Sequence, residues 1–249
     1  MLQDERFERI LGKLRKSGSV KVTSLAKELN ISESTIRRDI NELDSQGMLK
    51  KVFGGAVAIK SDITFGETDV SQRILKNVEE KDRIARYAAS LIKDDDFVYI
   101  DAGTTTERMI DYLEKKNVTY VTNGITHAKK LIQKGFSAYM IGGLLRPSTE
   151  AVVGEEAVET VQKYNFTKCF MGTNGIDMEL GFTTPDISEA AIKRVVMKRA
   201  YRTYILADHT KFGVITPVSF AELNDAHIIT DRIDEKQYCK NTQIVEVLE

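Results

Sequence analysis

Polar and glycine residues follow an apolar β-type run at Asp101-Ala102-Gly103-Thr104-Thr105-Thr106. Glycine lets a backbone approach an anion closely, and hydroxyls together with the free N–H groups of a helix start can bind phosphate oxygens. The stretch matches neither a Walker loop nor a dinucleotide-binding fingerprint, which disfavours a nucleotide. A helix capped by threonine is an equally good interpretation of these six residues alone.

Further β-type runs also end in small or polar residues. Asn and Asp side chains can bind sugar hydroxyls, and a lysine ammonium can bind phosphate. Glu189 and Lys193 share a helix face at i and i+4, where a surface ion pair is the more ordinary interpretation. Together these stretches predict a sugar-phosphate site that includes Asp101, Gly103, Thr104, Thr105, Thr106, Asn123, Gly142, Gly143, Glu189, Lys193, Asp208 and Lys211.

The elements that must position these residues alternate in their periodicity. Helical patterns such as 107–116 and 187–200 fall between β-type runs, which are 97–101, 119–122, 138–141, 168–171, 203–207 and 227–230. Such alternation favours a largely parallel α/β sheet with ligands at the carboxyl ends of the strands. We expect a linker over 58–76, a helix from Ile74 to about Lys93, and an effector and oligomerisation domain over 77–249.

A second set of chemically useful residues lies on a helix expected over 33–46. Ile36, Ile40 and Leu43 repeat at helical spacing and must face the core. The exposed faces near the helix start therefore carry five polar or basic residues, Ser32, Ser34, Thr35, Arg37 and Arg38. Arginine can bind guanine bidentately, and hydroxyls at a helix start suit phosphates. The alternative is a solvated face with an Asp39–Arg pair, but the caps and the local charge agree on a DNA-recognition helix.

The rest of residues 1–57 completes a winged helix-turn-helix. Residues 4–17 have the pattern of an amphipathic helix. A second short helix follows Val22-Thr23-Ser24, with a hydroxyl available as its cap, and ends at Asn30 before a three-residue turn. Two short β-type runs after the third helix form a wing, on which Lys50 and Lys51 are placed for contacts with the DNA backbone.

Charge is distributed unevenly along the 249 residues. Residues 1–60 contain twelve Lys or Arg and eight Asp or Glu, against 24 and 29 in the remainder, so a basic head precedes an acidic body. Two cysteines and three histidines without ligand spacing predict no metal site and no disulfide framework. The chain lacks both a signal peptide and an apolar run of roughly 18 residues that would span a bilayer, so we expect a soluble cytoplasmic protein without a membrane partner.

These features resemble the DeoR family of bacterial transcription regulators over nearly the whole chain. The resemblance implies a winged helix-turn-helix domain over 1–57 that binds double-stranded operator DNA. Phe53 departs from the family pattern, because family members usually carry histidine in that position of the wing. The head matches the family signature without a gap at Arg6, Ile10, Leu14, Ser32, Thr35, Ile36, Arg37, Arg38, Asp39, Ile40 and Gly54-Gly55-Ala56.

The body resembles the DeoR effector domain, whose fold is similar to that of phosphosugar isomerases such as ribose-5-phosphate isomerase. The resemblance implies a phosphorylated sugar as effector and adds Arg146 as a phosphate contact or a dimer contact. Asn174-Gly175-Ile176 and residues 181–186 resemble fructose-operon repressors of the family, which implies fructose 1-phosphate. The matching positions are Asp101, Gly103, Thr104, Thr105, Thr122, Asn123, Gly142, Gly143, Asp208 and Lys211.

Two functions remain open from the sequence. The first is a sugar-phosphate-responsive regulator without catalytic residues or a cofactor, which represses a sugar-utilisation operon as a homodimer or homotetramer. The second is a phosphosugar isomerase with an appended DNA-binding head, in which Asp101, Glu189 or Asp208 would shuttle a proton. The basic head favours the regulator, since an isomerase acting on small molecules has no use for it.

Overall fold

The computed structural model describes residues 3–57, 70–114, 117–234, 238 and 243–247. The chain divides into two compact units, unit 1 over Met1–Asp62 and unit 2 over Ile63–Glu249. Much of the linker predicted over 58–76 lies outside the described residues. Its last part differs from the prediction, because Val70–Ile74 is a helix that belongs to unit 2.

Unit 1 is a winged helix-turn-helix. Its elements are α1 (Gln3–Ser17), β1 (Ser19–Lys21), α2 (Val22–Leu29), α3 (Glu33–Ser45), β2 (Lys50–Val52) and β3 (Gly55–Val57). The three strands form an antiparallel sheet in the order β1-β3-β2, so the wing contains one strand more than the sequence indicated. Ile36, Ile40 and Leu43 are buried in its core with Ile10 and Leu14 of α1, as helical spacing predicts.

The helix boundaries of unit 1 follow from local chemistry. The Ser32 side chain accepts a backbone N–H at the start of α3, and Asn30 ends α2 with a left-handed φ of 54°. The hydroxyl cap predicted for α2 is wrong, since its N-cap residue is Lys21, which makes no side-chain cap. The free N–H of Val22 is satisfied instead by the Gly54 carbonyl oxygen of the wing turn, at 3.0 Å.

Unit 2 is an α/β domain. Its helices are α4 (Val70–Ile74), α5 (Val78–Ser90), α6 (Thr104–Asp111), α7 (Ile125–Gln133), α8 (Glu155–Gln162) and α9 (Ile187–Arg199). Its strands are β4 (Phe97–Ile100), β5 (Thr119–Thr122), β6 (Ser137–Met140), β7 (Leu144–Arg146), β8 (Ala151–Val153), β9 (Phe166–Gly172), β10 (Gly175–Asp177), β11 (Gly181–Thr184), β12 (Ala200–Leu206), β13 (Val218–Ala221), β14 (His227–Thr230) and β15 (Ile244–Glu246). Two short 3₁₀ turns span His209–Lys211 and Leu223–Asp225.

The described part of unit 2 is organised around a seven-stranded parallel sheet in the order β15-β14-β12-β9-β4-β5-β6. Successive side chains of a strand point to opposite faces of the sheet, so these strands contribute to two hydrophobic cores, one on each face. One core packs against α5, α6 and α7, and the other against α8 and α9. The six β-type runs found in the sequence all lie on strands of this sheet, whereas β15 and the short antiparallel strands were not predicted.

The single helix predicted from Ile74 to about Lys93 is wrong. The structure has α4 and α5 instead, and Asn77 separates them with a left-handed φ of 50°. A left-handed residue cannot continue a right-handed helix, and asparagine tolerates this conformation better than most residues. The break directs the Asn77 amide to Asp208, whose Oδ1 accepts its N–H at 3.0 Å.

Candidate functional site

Polar residues at the carboxyl ends of β4, β9 and β12 line a cavity in unit 2. These strands are neighbours in the sheet, so the loops that follow them meet at one edge. The cavity walls include eight predicted residues: Asp101, Gly103, Thr104, Thr105, Glu189, Lys193, Asp208 and Lys211. They also include residues outside the predicted ligand set, of which the first five were not singled out in the sequence: Arg73, Lys76, Asn77, Lys81, Thr149, Thr173, Asn174 and Thr210.

The buried Asp101 carboxylate anchors the loop after β4. Its Oδ2 pairs with the Lys193 ammonium and accepts the Gly172 N–H at 3.2 Å. Lys193 also donates to the Gly172 carbonyl oxygen at 2.9 Å. The ordinary interpretation of Glu189 and Lys193 as a surface ion pair is therefore wrong, because α9 directs Lys193 into the sheet edge and away from that partner.

The start of α6 offers two unused hydroxyls to the cavity. Its N-cap residue is Gly103, with no side-chain cap, so the interpretation of this stretch as a threonine-capped helix is wrong. The Thr106 hydroxyl donates to the Asp101 carbonyl oxygen at 2.6 Å and lies outside the cavity walls. Among the described residues, the Thr104 and Thr105 hydroxyls have no hydrogen-bond partner, so both can donate to a ligand at this helix start.

Asn123 and His127 stabilise the loop that follows β4. The Asn123 carboxamide oxygen accepts the Ala102 N–H at 2.8 Å, which places Asn123 behind the cavity wall rather than on it. His127 Nε2 lies 3.2 Å from both the Thr106 hydroxyl oxygen and the Gly103 carbonyl oxygen. Burial lowers the pKa of His127 to about 4, so the ring is neutral at pH 7. These contacts fix the backbone from which Thr104 and Thr105 project.

Four cationic residues, Arg73, Lys76, Lys81 and Lys211, line the same cavity as the start of α6. Lys81 is buried and donates to the Arg73 carbonyl oxygen, which attaches α4 to α5. Burial lowers the pKa of Lys81 to about 8; Asp208 opposes this shift, whereas Lys211 and Arg73 add to it. Burial also lowers the pKa of Lys211, opposed by Asp208, while Arg73 and Lys76 lower it further. An anion bound among these groups would relieve their mutual repulsion, so they are candidates for an anion site.

Three more predicted ligand residues lie outside the cavity walls. Gly142 and Gly143 follow β6 at the edge of the sheet, too far along the strand order to meet the loops after β4 and β9. Gly143 has a φ of 142°, and an added Cβ would lie 2.7 Å from the Val153 carbonyl oxygen, so it serves the turn into β7. Arg146 Nη1 lies 3.3 Å from Glu189 Oε1, which positions a residue of the cavity wall.

The exposed face of α3 in unit 1 carries the predicted DNA contacts. Ser34, Arg37 and Arg38 are exposed, while Ser32 serves as the N-cap and Thr35 is half-buried beside it. Arg37 pairs with Glu33 at 3.2 Å on the surface. No carboxylate among the described side chains lies within ion-pair distance of Arg38.

Asp39 does not neutralise the arginines of that face. It is buried and forms a bidentate pair with Arg6 of α1, with N···O distances of 2.7 and 2.8 Å. The Asp39–Arg pair considered from the sequence thus exists, but it joins α3 to α1 and leaves Arg38 available. On the wing, Lys50 and Lys51 are exposed and Phe53 is fully exposed at the tip.

The described ranges bear on two expectations from the sequence, a membrane span and a metal site. None of the helices there is long and apolar enough to cross a membrane. The side chains described by the structure include no group of three or more His, Cys, Asp or Glu placed to hold a metal ion.

Two family models match the chain. The model described as the DeoR-like helix-turn-helix domain matches residues 6–62, and the model described as the DeoR C terminal sensor domain matches residues 76–232. Together they cover most of both units.

Known proteins are similar over the same extent. The uncharacterised HTH-type transcriptional regulator FruR of Bacillus subtilis (strain 168) is 44% identical, covering 94% of this chain and 93% of its own length. The lactose phosphotransferase system repressor of Staphylococcus aureus (strain N315) is 33% identical over the full length of both chains. Among solved structures, ribose 5-phosphate isomerase A from Methanocaldococcus jannaschii aligns with a TM-score of 0.42 at 15% identity over 55% of each chain, a likeness too low to indicate an activity.

Proposed function

Because the chain belongs to the DeoR family of transcription regulators, we propose that it represses a sugar-utilisation operon and leaves its operator when a phosphorylated sugar binds the cavity of unit 2. The chain is a DNA-binding regulator and not an enzyme, like the relatives that match it along almost their whole length. The carboxylates considered for an isomerase have other contacts here, since Asp101 is paired with Lys193.

The observation that carries the proposal is that unused hydroxyls and cations line the same cavity. Thr104 and Thr105 contribute hydroxyls at the N-terminus of α6. Arg73, Lys81 and Lys211 contribute positive charge. A phosphate group accepts hydrogen bonds from hydroxyls and helix N–H groups and is attracted by lysine and arginine, so it suits both sets of groups.

The remaining polar groups of the cavity suit the sugar part of such a ligand. Glu189 and Asn174 lie near the Thr184 hydroxyl, which donates to them at 3.2 and 3.3 Å. Carboxylate and amide side chains of this kind can accept or donate hydrogen bonds to sugar hydroxyls. The name of the FruR relative and the stretch from Asn174 onward support fructose 1-phosphate as the first effector to test.

The effector is tested by calorimetry and by gel shifts across a titration with fructose 1-phosphate. Lys211→Met keeps much of the aliphatic part of the lysine side chain but removes its charge. Effector affinity should therefore fall about 10- to 100-fold, the range for a hydrogen bond to a charged group. The variant should stay on operator DNA when the sugar phosphate is added. Lys198→Met, which changes an exposed lysine outside the cavity, is the matched control. Equal release of the wild type and Lys211→Met would contradict the proposed ligand role.

Operator binding is tested on unit 1. Arg38→Ala should cost about 1–3 kcal/mol of specific operator affinity if the arginine contacts a base. Lys51→Ala should weaken binding to all DNA sequences and flatten the dependence on salt, as expected of a phosphate contact. Arg232→Ala removes an exposed arginine of unit 2 and should change neither. Unchanged operator affinity of Arg38→Ala would exclude Arg38 from base contact.

We infer that the regulator works as a homodimer or homotetramer in the cytoplasm. A single winged module offers few base contacts, and paired modules on repeated half-sites multiply the affinity. Light scattering of the free protein and of its operator complex would test the number of subunits. A monomer bound to a single half-site at full affinity would contradict this inference.

A further inference from the structure

Two buried polar atoms of the cavity wall have no hydrogen-bond partner among the described residues. They are Arg73 Nε, on α4, and Thr149 Oγ1, in the turn between β7 and β8. A buried polar group is normally hydrogen-bonded, and one left alone in a ligand cavity indicates a group that the ligand satisfies. Both atoms lie on residues that reasoning from the sequence did not single out.

The two residues belong to neighbouring parts of the wall. The Val70 N–H at the start of α4 donates to the Ser148 carbonyl oxygen at 3.3 Å, which places α4 beside the turn that carries Thr149. At its other end, α4 is attached to the body through the bond from Lys81 to the Arg73 carbonyl oxygen. None of the five residues of this helix is buried, and a short helix is only marginally stable on its own.

The position of α4 in the chain gives these contacts a regulatory meaning. Residues 58–69 connect unit 1 to Val70, so α4 is the first described element of unit 2 after the DNA-binding unit. A ligand held by Arg73 would restrain the segment from which the chain runs to that unit. Restraining a connecting segment changes the conformations that are available to the DNA-binding unit attached to it.

We propose that Arg73 and Thr149 bind the effector together and that this contact fixes α4, which couples the cavity to the DNA-binding unit. The proposal rests on the proposed function, because it needs a sugar phosphate in the cavity. It adds two ligand-binding residues and assigns α4 as the element that responds to the ligand. Effector and operator affinities are then linked, and each ligand must change the affinity of the other by the same factor.

The chain provides matched controls for both residues. Arg83 Nε and Thr216 Oγ1 are also buried without a partner among the described residues, but neither residue lines the cavity. Arg73→Lys and Thr149→Val remove the two cavity donors with small changes in volume. Arg83→Lys and Thr216→Val make the same chemical changes elsewhere in unit 2.

The experiment combines calorimetry with hydrogen exchange followed by mass spectrometry, using fructose 1-phosphate and inorganic phosphate as probes. Fructose 1-phosphate should slow amide exchange in a peptide covering residues 70–76 of the wild type. Arg73→Lys and Thr149→Val should each weaken binding by roughly 3- to 30-fold, should lose most of that protection, and should release operator less completely at saturating probe. The two control variants should behave like the wild type.

The outcomes separate this inference from the proposed function. If neither probe binds the wild-type protein, the proposed sugar-phosphate site fails and this inference fails with it. If fructose 1-phosphate binds but exchange in residues 70–76 does not change, the site stands and the assignment of α4 is overturned. Cavity variants that match their controls in affinity would remove Arg73 and Thr149 from the site.

Discussion

Raising the pH from 7 to 9 should weaken binding of a phosphorylated sugar, because Lys81 loses its charge over this range. Burial lowers the pKa of this lysine to about 8 in the free protein, and neighbouring Lys211 and Arg73 add to the effect. A bound phosphate favours the charged form and moves the pKa of Lys81 back toward its ordinary value of roughly 10.4. Binding therefore takes up a proton, and affinity falls as the free protein deprotonates.

The size of the effect follows from these pKa values. At pH 8 about half of the free protein carries a neutral Lys81, so binding should take up about half a proton at this residue. At pH 9 only about a tenth carries the charged form, so affinity should be roughly tenfold lower than at pH 7. The phosphate of the ligand does not contribute, because its second pKa is about 6. Lys211, whose pKa is also lowered, should add to the loss in the same direction.

Calorimetry at pH 8 in two buffers of different ionisation enthalpy measures the proton uptake directly, and titrations at pH 7, 8 and 9 measure the affinity. Lys81→Arg provides the control, since its guanidinium stays charged and its share of the pH dependence should disappear. An affinity for fructose 1-phosphate that is constant from pH 7 to 9, with no proton uptake at pH 8, would refute the placement of the phosphate beside Lys81.

Three further predictions concern single side chains. Burial lowers the pKa of His127 to about 4, so below about pH 6.5 the unfolded chain binds a proton at this residue and the folded chain does not. The free energy of unfolding should therefore fall by up to about 3 kcal/mol between pH 6.5 and 4. Chemical denaturation of His127→Gln should show a shallower fall. Arg6→Met leaves the buried Asp39 carboxylate unpaired and should lower the melting temperature, whereas Arg6→Met combined with Asp39→Leu should recover part of the loss in the same calorimetric scan. Phe53→Ala should leave the melting temperature unchanged because the ring is fully exposed, so any loss of operator affinity in gel shifts would come from contact with DNA.

The sequence predicts elements well where one physical signal dominates. Spacing of Ile36 and Ile40 places the core face of α3, and Ser32 marks its start, because helical periodicity and an N-cap are both local properties. Runs such as those of β4, β9 and β14 can be predicted because both faces of these strands are buried, which makes them nearly continuously apolar. The break at Asn77 was missed, since only the contact with Asp208 distinguishes this asparagine from any other polar residue of a helix.

The residues of the candidate site likewise separate into those that a local sequence pattern predicts and those that depend on the strand order. Thr104 and Lys211 follow β4 and β12, which flank β9, so both could be predicted from the rule that carboxyl ends of parallel strands meet at one edge of the sheet. Gly142 and Gly143 obey the same local pattern but lie outside the cavity, because the strand order places β6 at the edge. Strand order depends on contacts between distant parts of the chain, so no local pattern contains it.

In the coupling proposed above, the cations of the cavity connect the choice of ligand with α4. Arg73 and Lys76 lower the pKa of Lys211, and Lys211 and Arg73 lower that of Lys81, so the free protein holds like charges in mutual repulsion. A dianionic phosphate relieves this repulsion, whereas an uncharged sugar of the same shape does not, so affinity must depend on ligand charge. Arg73 and Lys76 lie at the start of the described part of unit 2 in chain order, while Lys81 lies on α5 and Lys211 follows β12. In the proposed coupling, the negative charge that distinguishes a sugar phosphate from a sugar also acts on Arg73 of α4, and this predicts that an uncharged sugar does not fix α4.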